Sequence, residues 1–188
     1  MIPESTPSEE SVTLWVSACL MGESTRYDGT HKLFHHIPQI LGGLCTVIPV
    51  CPEAEAGYGT PREPMHLSTK KSSPRLLTNA AGVDITEKME LWIPEAIERV
   101  ALSRPRGFIL KARSPSCHVQ DSELSQSQHS GLFTQAVVRR FPSCVVVNET
   151  LLQDSAGWRD FICRLGCSTH THQALLNRVT TTIWKRLP

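Results

Sequence analysis

Neither sign of charge is in excess in this chain of 188 residues: 19 Lys and Arg stand against 18 Asp and Glu, a formal net charge of +1. A surface for nucleic acid or for an anionic membrane needs a basic excess, so neither is an expected partner. No apolar run approaches the roughly 20 residues that span a bilayer. The opening stretch, MIPESTPSEE, is polar and acidic, whereas a secretory leader is basic and then apolar. A soluble, cytoplasmic protein is the expectation. Internal repeats and low-complexity tracts are also lacking, as is any paired C-x-x-C knuckle, which removes the common closed zinc sites.

What is present begins with seven cysteines. The number is odd, and a cytoplasmic setting keeps thiols reduced, so a disulfide framework does not account for them. The length suits one domain with a real core. VTLWVSACL and the β-branched run LCTVIPVC read as strands, the second of the kind buried on both faces of a parallel sheet. MHLSTKKSSPRLLTNAAGVDIT reads as a short strand or hairpin with a polar turn over 70–74, and RGFILKARSPSC and SCVVVNE supply two further strands. THKLFHHIPQILGG places Leu33, Phe34, Ile37 and Ile40 at helical spacing, with Pro38 as a bend. TEKMELWIPEAIERVAL is the clearest helix, with Thr86 as N-cap, an apolar face from Met89 to Val100, and a kink expected at Pro94. LFTQAVVRRF, AGWRDFICRLG and a tail segment from about residue 173 to 185 complete the helices, and QDSELSQSQHSG reads as a mobile loop. Strands alternating with helices predict an α/β fold: a Rossmann-like, mostly parallel sheet with helices on both faces, in a single domain. Residues 1–11 are expected to be a disordered lead, 12–166 the α/β domain and 167–188 a helical tail.

Ligands of such sheets sit beyond the carboxyl ends of the strands, and that divides the cysteines. Cys19 closes the first strand, Cys51 closes the second, and Cys117 lies in the loop leaving the third, so one edge receives all three. Cys45 and Cys144 begin their runs at the opposite edge, and Cys163 lies beside Phe161 and Ile162 on the apolar face of a late helix; these three read as structural. Cys167 shows no role. Three thiolates from separate loops do not make a closed zinc site. They leave open either three unconnected buried thiols or a cluster with one metal corner free of protein. Glu53 follows Cys51 by two residues and reads either as a solvated loop carboxylate or as an acid aimed at that corner, with Glu55 as the neighbouring decoy.

Three motifs in order, VSACLMGESTRYDG, VCPEAEAGYGTPREP and LKARSPSC, resemble the thiouracil desulfurase (TudS) family, small proteins formerly grouped as a domain of unknown function. The likeness runs from about Leu14 to Leu165. It implies a [4Fe-4S] cluster on Cys19, Cys51 and Cys117 with the fourth iron unligated by protein. The implied reaction removes sulfur from a thiolated nucleobase such as 2-thiouracil, giving the oxo base and hydrogen sulfide. On the matching positions Glu53, of CPE, and Ser114, of SPSC, are similar to the family's acid–base residues. His118 stands where the family has Gly after the last motif cysteine, which bears on the shape of the pocket. The implied partner is a small thiolated heterocycle. A soft open iron suits a thiocarbonyl sulfur and polarises its carbon toward water. Glu53 is then the proton carrier, and Ser114, a poor base at its free pKa, has a relay or holding role. The alternative from another class is a non-enzymatic iron–sulfur protein that binds sulfide or senses redox state.

The remaining polar residues have plainer readings. Arg26 and Asp28 of RYDG read as a turn pair, Arg62 and Glu63 of TPREP as a loop-fixing ion pair, and Lys111 as a cation facing the site. His31 and His35, four apart on the expected helix, have zinc-ligand spacing but no acidic partner and read as solvated, as do His170 and His172.

Overall fold

A computed structural model describes residues 11–69, 73–120 and 130–183 of the chain. Most of the expected disordered lead, the middle of the polar loop after Gln120 and the last residues of the tail lie outside the described residues. Among the described residues six strands form, β1 (Val12–Ser17), β2 (Cys45–Val50), β3 (Met65–Ser68), β4 (Arg75–Thr78), β5 (Gly107–Leu110) and β6 (Val145–Asn148). β2-β1-β5-β6 make one sheet, parallel throughout, and β3 and β4 pair separately and antiparallel, the hairpin of the two readings, with most of its expected polar turn, residues 70–72, outside the described residues. Helices α1 (His36–Leu41), α2 (Thr86–Leu102), α3 (Leu132–Arg140), α4 (Ser155–Arg164) and α5 (Thr169–Ile183) cover the sheet. Among the described residues no helix is long and apolar enough to cross a membrane.

The period-2 pleat divides each strand between two cores. Leu14, Val16 and Ile109 face α1, α4 and α5, where Ile37, Ile40, Trp158, Phe161, Leu175 and Val179 are buried. Trp15, Phe108 and Leu110 face the other way, onto Ala96, Ile97 and Val100 of α2 and Phe133 and Val137 of α3. Gly107 sits where sheet and helix layers press closest: a Cβ there would stand 2.9 Å from the Val145 carbonyl oxygen and 2.9 Å from Leu165.

Several local expectations change, each for a readable reason. β2 is an edge strand, half-exposed along much of its length, and not a strand buried on both faces. Pro49 within it cannot donate to a ladder and is accommodated because β2 has a neighbour on one side only. The helix expected over THKLFHHIPQILGG is confined to α1, because Pro38 is tolerated only in a first turn, where its missing N–H has no intrahelical acceptor to meet. His31 therefore lies ahead of α1, where its Nδ1 accepts the Leu33 N–H at 3.3 Å, and shares no helix with His35. Thr86 is the first residue of α2 and not its N-cap; its Oγ1 donates to Asp84 Oδ1 at 2.6 Å and accepts the Leu76 N–H at 2.8 Å, tying α2 to β4. Cys163 is exposed, since the 100° step from Phe161 and Ile162 carries it off the buried face of α4. Its Sγ lies 4.0 Å from His172 Nε2. Cys144 is buried and its Sγ donates to the Pro105 carbonyl, while Cys45 and Cys167 pack against the first core. α5 starts four residues earlier than expected and docks on α1 and α4, with Arg178 donating to the Gly42 carbonyl.

Candidate functional site

Strands β2, β1 and β5 are neighbours, so the loops leaving their carboxyl ends converge, as the topology of an open parallel sheet requires. The loop after β1 turns at once into a 3-10 turn, Ala18–Met21, ended by Gly22 at φ +97°, a left-handed conformation that glycine adopts without a Cβ penalty. Cys19 sits in this turn, two residues beyond the strand, with its carbonyl accepting the Lys32 N–H at 2.8 Å. Cys51 directly follows β2, and Pro52 opens the turn that leads into the wide helical turn Ala54–Tyr58. Cys117 ends a tight loop in which Ser114 Oγ accepts the N–H of Ser116 at 3.3 Å and that of Cys117 at 3.1 Å, the local serine-to-backbone pattern that competes with helix. Gly131 lies against this loop; a Cβ there would stand 2.3 Å from the Ser116 carbonyl carbon.

All three thiols line one cleft of about 680 Å3, a usual size for a small-molecule site. Burial first, and the neighbouring Cys51 second, push the Cys19 thiol from near 9 up to about 11, against Lys111 and Arg26. The Cys117 thiol is pushed up as well, by burial first and then by Glu53 and Cys51, while the hydroxyls of Ser17 and Ser116 act the other way. Cys51 thus acts on both of the other thiols. Yet among the described residues no three His, Cys, Asp or Glu side chains converge as the ligands of a single metal ion do. A cubane takes each thiolate on a different iron, so its ligands stand farther apart than those around one ion. By their chemistry, three soft thiol donors on one cleft fit an iron–sulfur cluster.

Beside Cys117 lies Glu53, only 8% exposed. Its Oε1 accepts from Ser116 Oγ at 2.7 Å and Ser114 Oγ at 3.0 Å; its Oε2 accepts from Arg62 Nη2 at 2.5 Å and Nε at 3.0 Å. The Arg62 guanidinium thus engages Oε2 twice, and both serine hydroxyls lie within hydrogen-bond distance of Oε1. Arg62 therefore pairs with Glu53, not with Glu63; Glu63 instead accepts the Ala80 N–H at 2.9 Å. The guanidinium also holds the carbonyls of Thr25 and Gly59, both at 2.9 Å, so one side chain binds the β1 and β2 loops together. Sequence reasoning missed Ser116 and the partner of Arg62. The signal for Ser116 was its place in the same SPSC motif as Ser114.

Lys111 does face the cleft, but its Nζ is held by the carboxylate of Glu149 and by the Ala112 carbonyl. Glu149 Oε2 accepts the Ala112 N–H at 2.6 Å, bracing the loop that carries Cys117. Glu149 was also missed, although like Glu53 it is an acid placed where an apolar strand ends. Lys111→Met leaves this buried carboxylate without its counter-charge. A loss of about 2–4 kcal/mol in denaturant unfolding of the cluster-free protein is expected, with Lys111→Arg milder. Arg26 pairs with Asp28 at 3.2 Å, and the Asp28 carboxyl is held well below the usual range by Thr30 first and Arg26 second, so the turn reading stands while Arg26 and Tyr27 also line the cleft. His118 does not narrow the cleft: its Nδ1 accepts the Arg113 N–H at 3.2 Å, at a residue with left-handed φ of +61°, and it is not among the lining residues.

Two thiols raised by desolvation, buried Cys19 and half-buried Cys45, give the cluster-free protein a defined pH response. Unfolded thiols ionise near 9, whereas folded Cys19 and Cys45 keep their protons to about 11. The stability they contribute is full below pH 9 and is lost as pH rises through 11. Denaturant midpoints measured on either side of that window should fall with rising pH. Cluster uptake has the opposite sign, because ligation needs thiolates: loading releases protons and strengthens as pH rises.

The 2-thiouracil desulfurase family profile matches residues 14–149. The chain is 28% identical over 151 residues to the uncharacterized protein YbbK of Bacillus subtilis (strain 168), covering 74% of this chain and 97% of that protein. Among solved structures, the [4Fe-4S]-dependent thiouracil desulfidase TudS is similar with a TM-score of 0.59 at 25% identity, covering 76% of this chain and 93% of that one.

Proposed function

The chain belongs to the 2-thiouracil desulfurase family, and from that membership we propose that it hydrolyses a thiolated pyrimidine such as 2-thiouracil to the oxo base and hydrogen sulfide, with a [4Fe-4S] cluster held by Cys19, Cys51 and Cys117. The observation that carries this reading is the meeting of three thiols from neighbouring strand ends with one buried, fully hydrogen-bonded carboxylate in a single cleft. When bound, the cluster supplies a soft Lewis-acidic iron suited to a thiocarbonyl sulfur.

The protein's own residues move the protons. Glu53, paired with the Arg62 guanidinium, takes a proton from the attacking water. Ser114 and Ser116, both on Oε1, keep that carboxylate aimed and give a hydroxyl path for returning the proton. Arg62 fixes Oε2, so the basic oxygen is the one facing the serines. The water oxygen stays on the ring carbon and its two protons leave with the sulfur, so no external electron donor or acceptor is needed.

The test is purification without oxygen, followed by iron and sulfide analysis and incubation with 2-thiouracil. About four irons per chain, with equal amounts of uracil and sulfide formed in the absence of reductant, is the expected result. A chain that holds the cluster but converts no thiolated pyrimidine overturns the reading.

A further inference from the structure

Glu55, the second acid of CPEAE, is fully engaged. Its N–H donates to the Cys51 carbonyl at 2.9 Å and its Oε1 accepts the Cys51 N–H at 2.9 Å, so the two residues close a reciprocal ring around the turn leaving β2. This resembles a capping box, in which a side chain reaches back to the first backbone donor of a turn. Glu55 Oε2 accepts from Arg99 Nη2, on α2, at 2.5 Å. The Arg99 guanidinium lies 5.9 Å from the centre of the Trp15 ring, whose Nε1 donates to Ser103 Oγ at 2.8 Å. A chain of contacts therefore runs from α2 through one carboxylate to the backbone of Cys51.

Of the three thiols, Cys51 most needs such a hold. Cys19 and Cys117 are buried, whereas Cys51 is half-buried and follows an edge strand, its side chain held by the one long bond its Sγ donates to the Thr25 carbonyl at 3.6 Å. We propose that Glu55 is a positioning residue that pre-organises Cys51 to ligate, with Arg99 as its anchor on α2; this rests on the cluster-holding role proposed for Cys51. The ion pair itself is half-exposed, at 49% for Arg99 and 30% for Glu55, and such pairs contribute little energy. What it does is select the rotamer that brings Oε1 to the Cys51 N–H. The acceptor oxygen therefore counts for more than the charge, and a looser turn adds an ordering cost to cluster binding.

The experiment compares holoproteins of wild type, Glu55→Ala, Glu55→Gln and Arg99→Glu. It reads the rate of iron loss to a ferrous chelator and the electron paramagnetic resonance spectrum of the reduced cluster, beside the thermal midpoint of the cluster-free forms. Glu55→Ala is expected to lose iron roughly fivefold faster, matching a lost cap hydrogen bond, with a changed spectrum. Glu55→Gln keeps an oxygen for the N–H and should stay within about twofold of wild type. Arg99→Glu lies on the exposed side of α2 and repels Glu55 from its rotamer without altering the turn's own sequence. It should speed iron loss even where Glu55→Ala fails to fold, and wild-type behaviour there overturns the proposal. Equal iron loss in Glu55→Ala and Glu55→Gln, or wild-type loss and spectrum in Glu55→Ala, overturns it too. A wild-type chain that binds no iron removes the cluster site and this role with it, whereas wild-type iron with an indifferent Glu55→Ala removes the role alone.

Discussion

Glu53→Gln is expected to lower kcat a hundred- to ten-thousand-fold, the range for losing a positioned proton acceptor, while the chain keeps its iron. Glutamine has the right shape but cannot take a proton from water. It also has one oxygen where the site needs two: turned toward Ser114 and Ser116, it presents its NH2 group to Arg62, and turned the other way it presents that group to the two hydroxyls. Arg62 is 5% exposed and would stay buried without its counter-charge, so a further loss of about 2–3 kcal/mol in unfolding stability is expected. Steady-state sulfide release, iron content and denaturation of the same preparation separate the two effects. Undiminished sulfide release from an iron-loaded Glu53→Gln protein would remove Glu53 from the chemistry and favour a protein that binds sulfide or senses redox state.

Cys117→Ser should abolish turnover through a different step, by emptying the cofactor site. The change is nearly isosteric, and the loop is held by the Ser114 hydroxyl, the Gly131 approach and the bond from Thr134 Oγ1 to the Cys117 carbonyl at 2.9 Å, none of which uses the sulfur. The fold should therefore survive. Serine is a harder donor with a far higher pKa and binds cluster iron more weakly than thiolate, so iron per chain should drop to a small fraction of wild type and activity by at least about a thousandfold. Cys144→Ser, at the far edge of the sheet with its Sγ on the Pro105 carbonyl, should keep its iron. Equal iron in the two variants would mean that Cys117 does not ligate.

Much of this could be read before any coordinates. Alternation of β-branched runs with amphipathic segments predicted the parallel sheet and its two helical layers, because a strand buried by helices and a helix lying on a sheet impose different hydrophobic periods. The division of the cysteines by strand end followed from the same pattern and needed no distances. The errors were local. LCTVIPVC looked doubly buried because its composition is that of an inner strand; Pro49 was the sign of an edge, and its meaning depends on which side lacks a neighbour. Cys163 was assigned to an apolar face on the strength of two adjacent residues, when the helical step separates it from both.

The identities of the loop residues and their places after strand ends were properties of the sequence alone, since strand direction in a parallel sheet dictates which loops share an edge. The pairings were not. Arg62 chose Glu53 over the adjacent Glu63, Lys111 found Glu149 across 38 positions, and Glu55 reached back to Cys51 and out to Arg99. For Arg62 with Glu53 and Lys111 with Glu149 the choice depends on which charged groups are brought together out of water, where an unmatched partner costs several kcal/mol, whereas the half-exposed Glu55 and Arg99 are matched by the approach of α2 to the β2 turn. Burial is decided by the packing of distant segments, so only the folded chain could assign the partners.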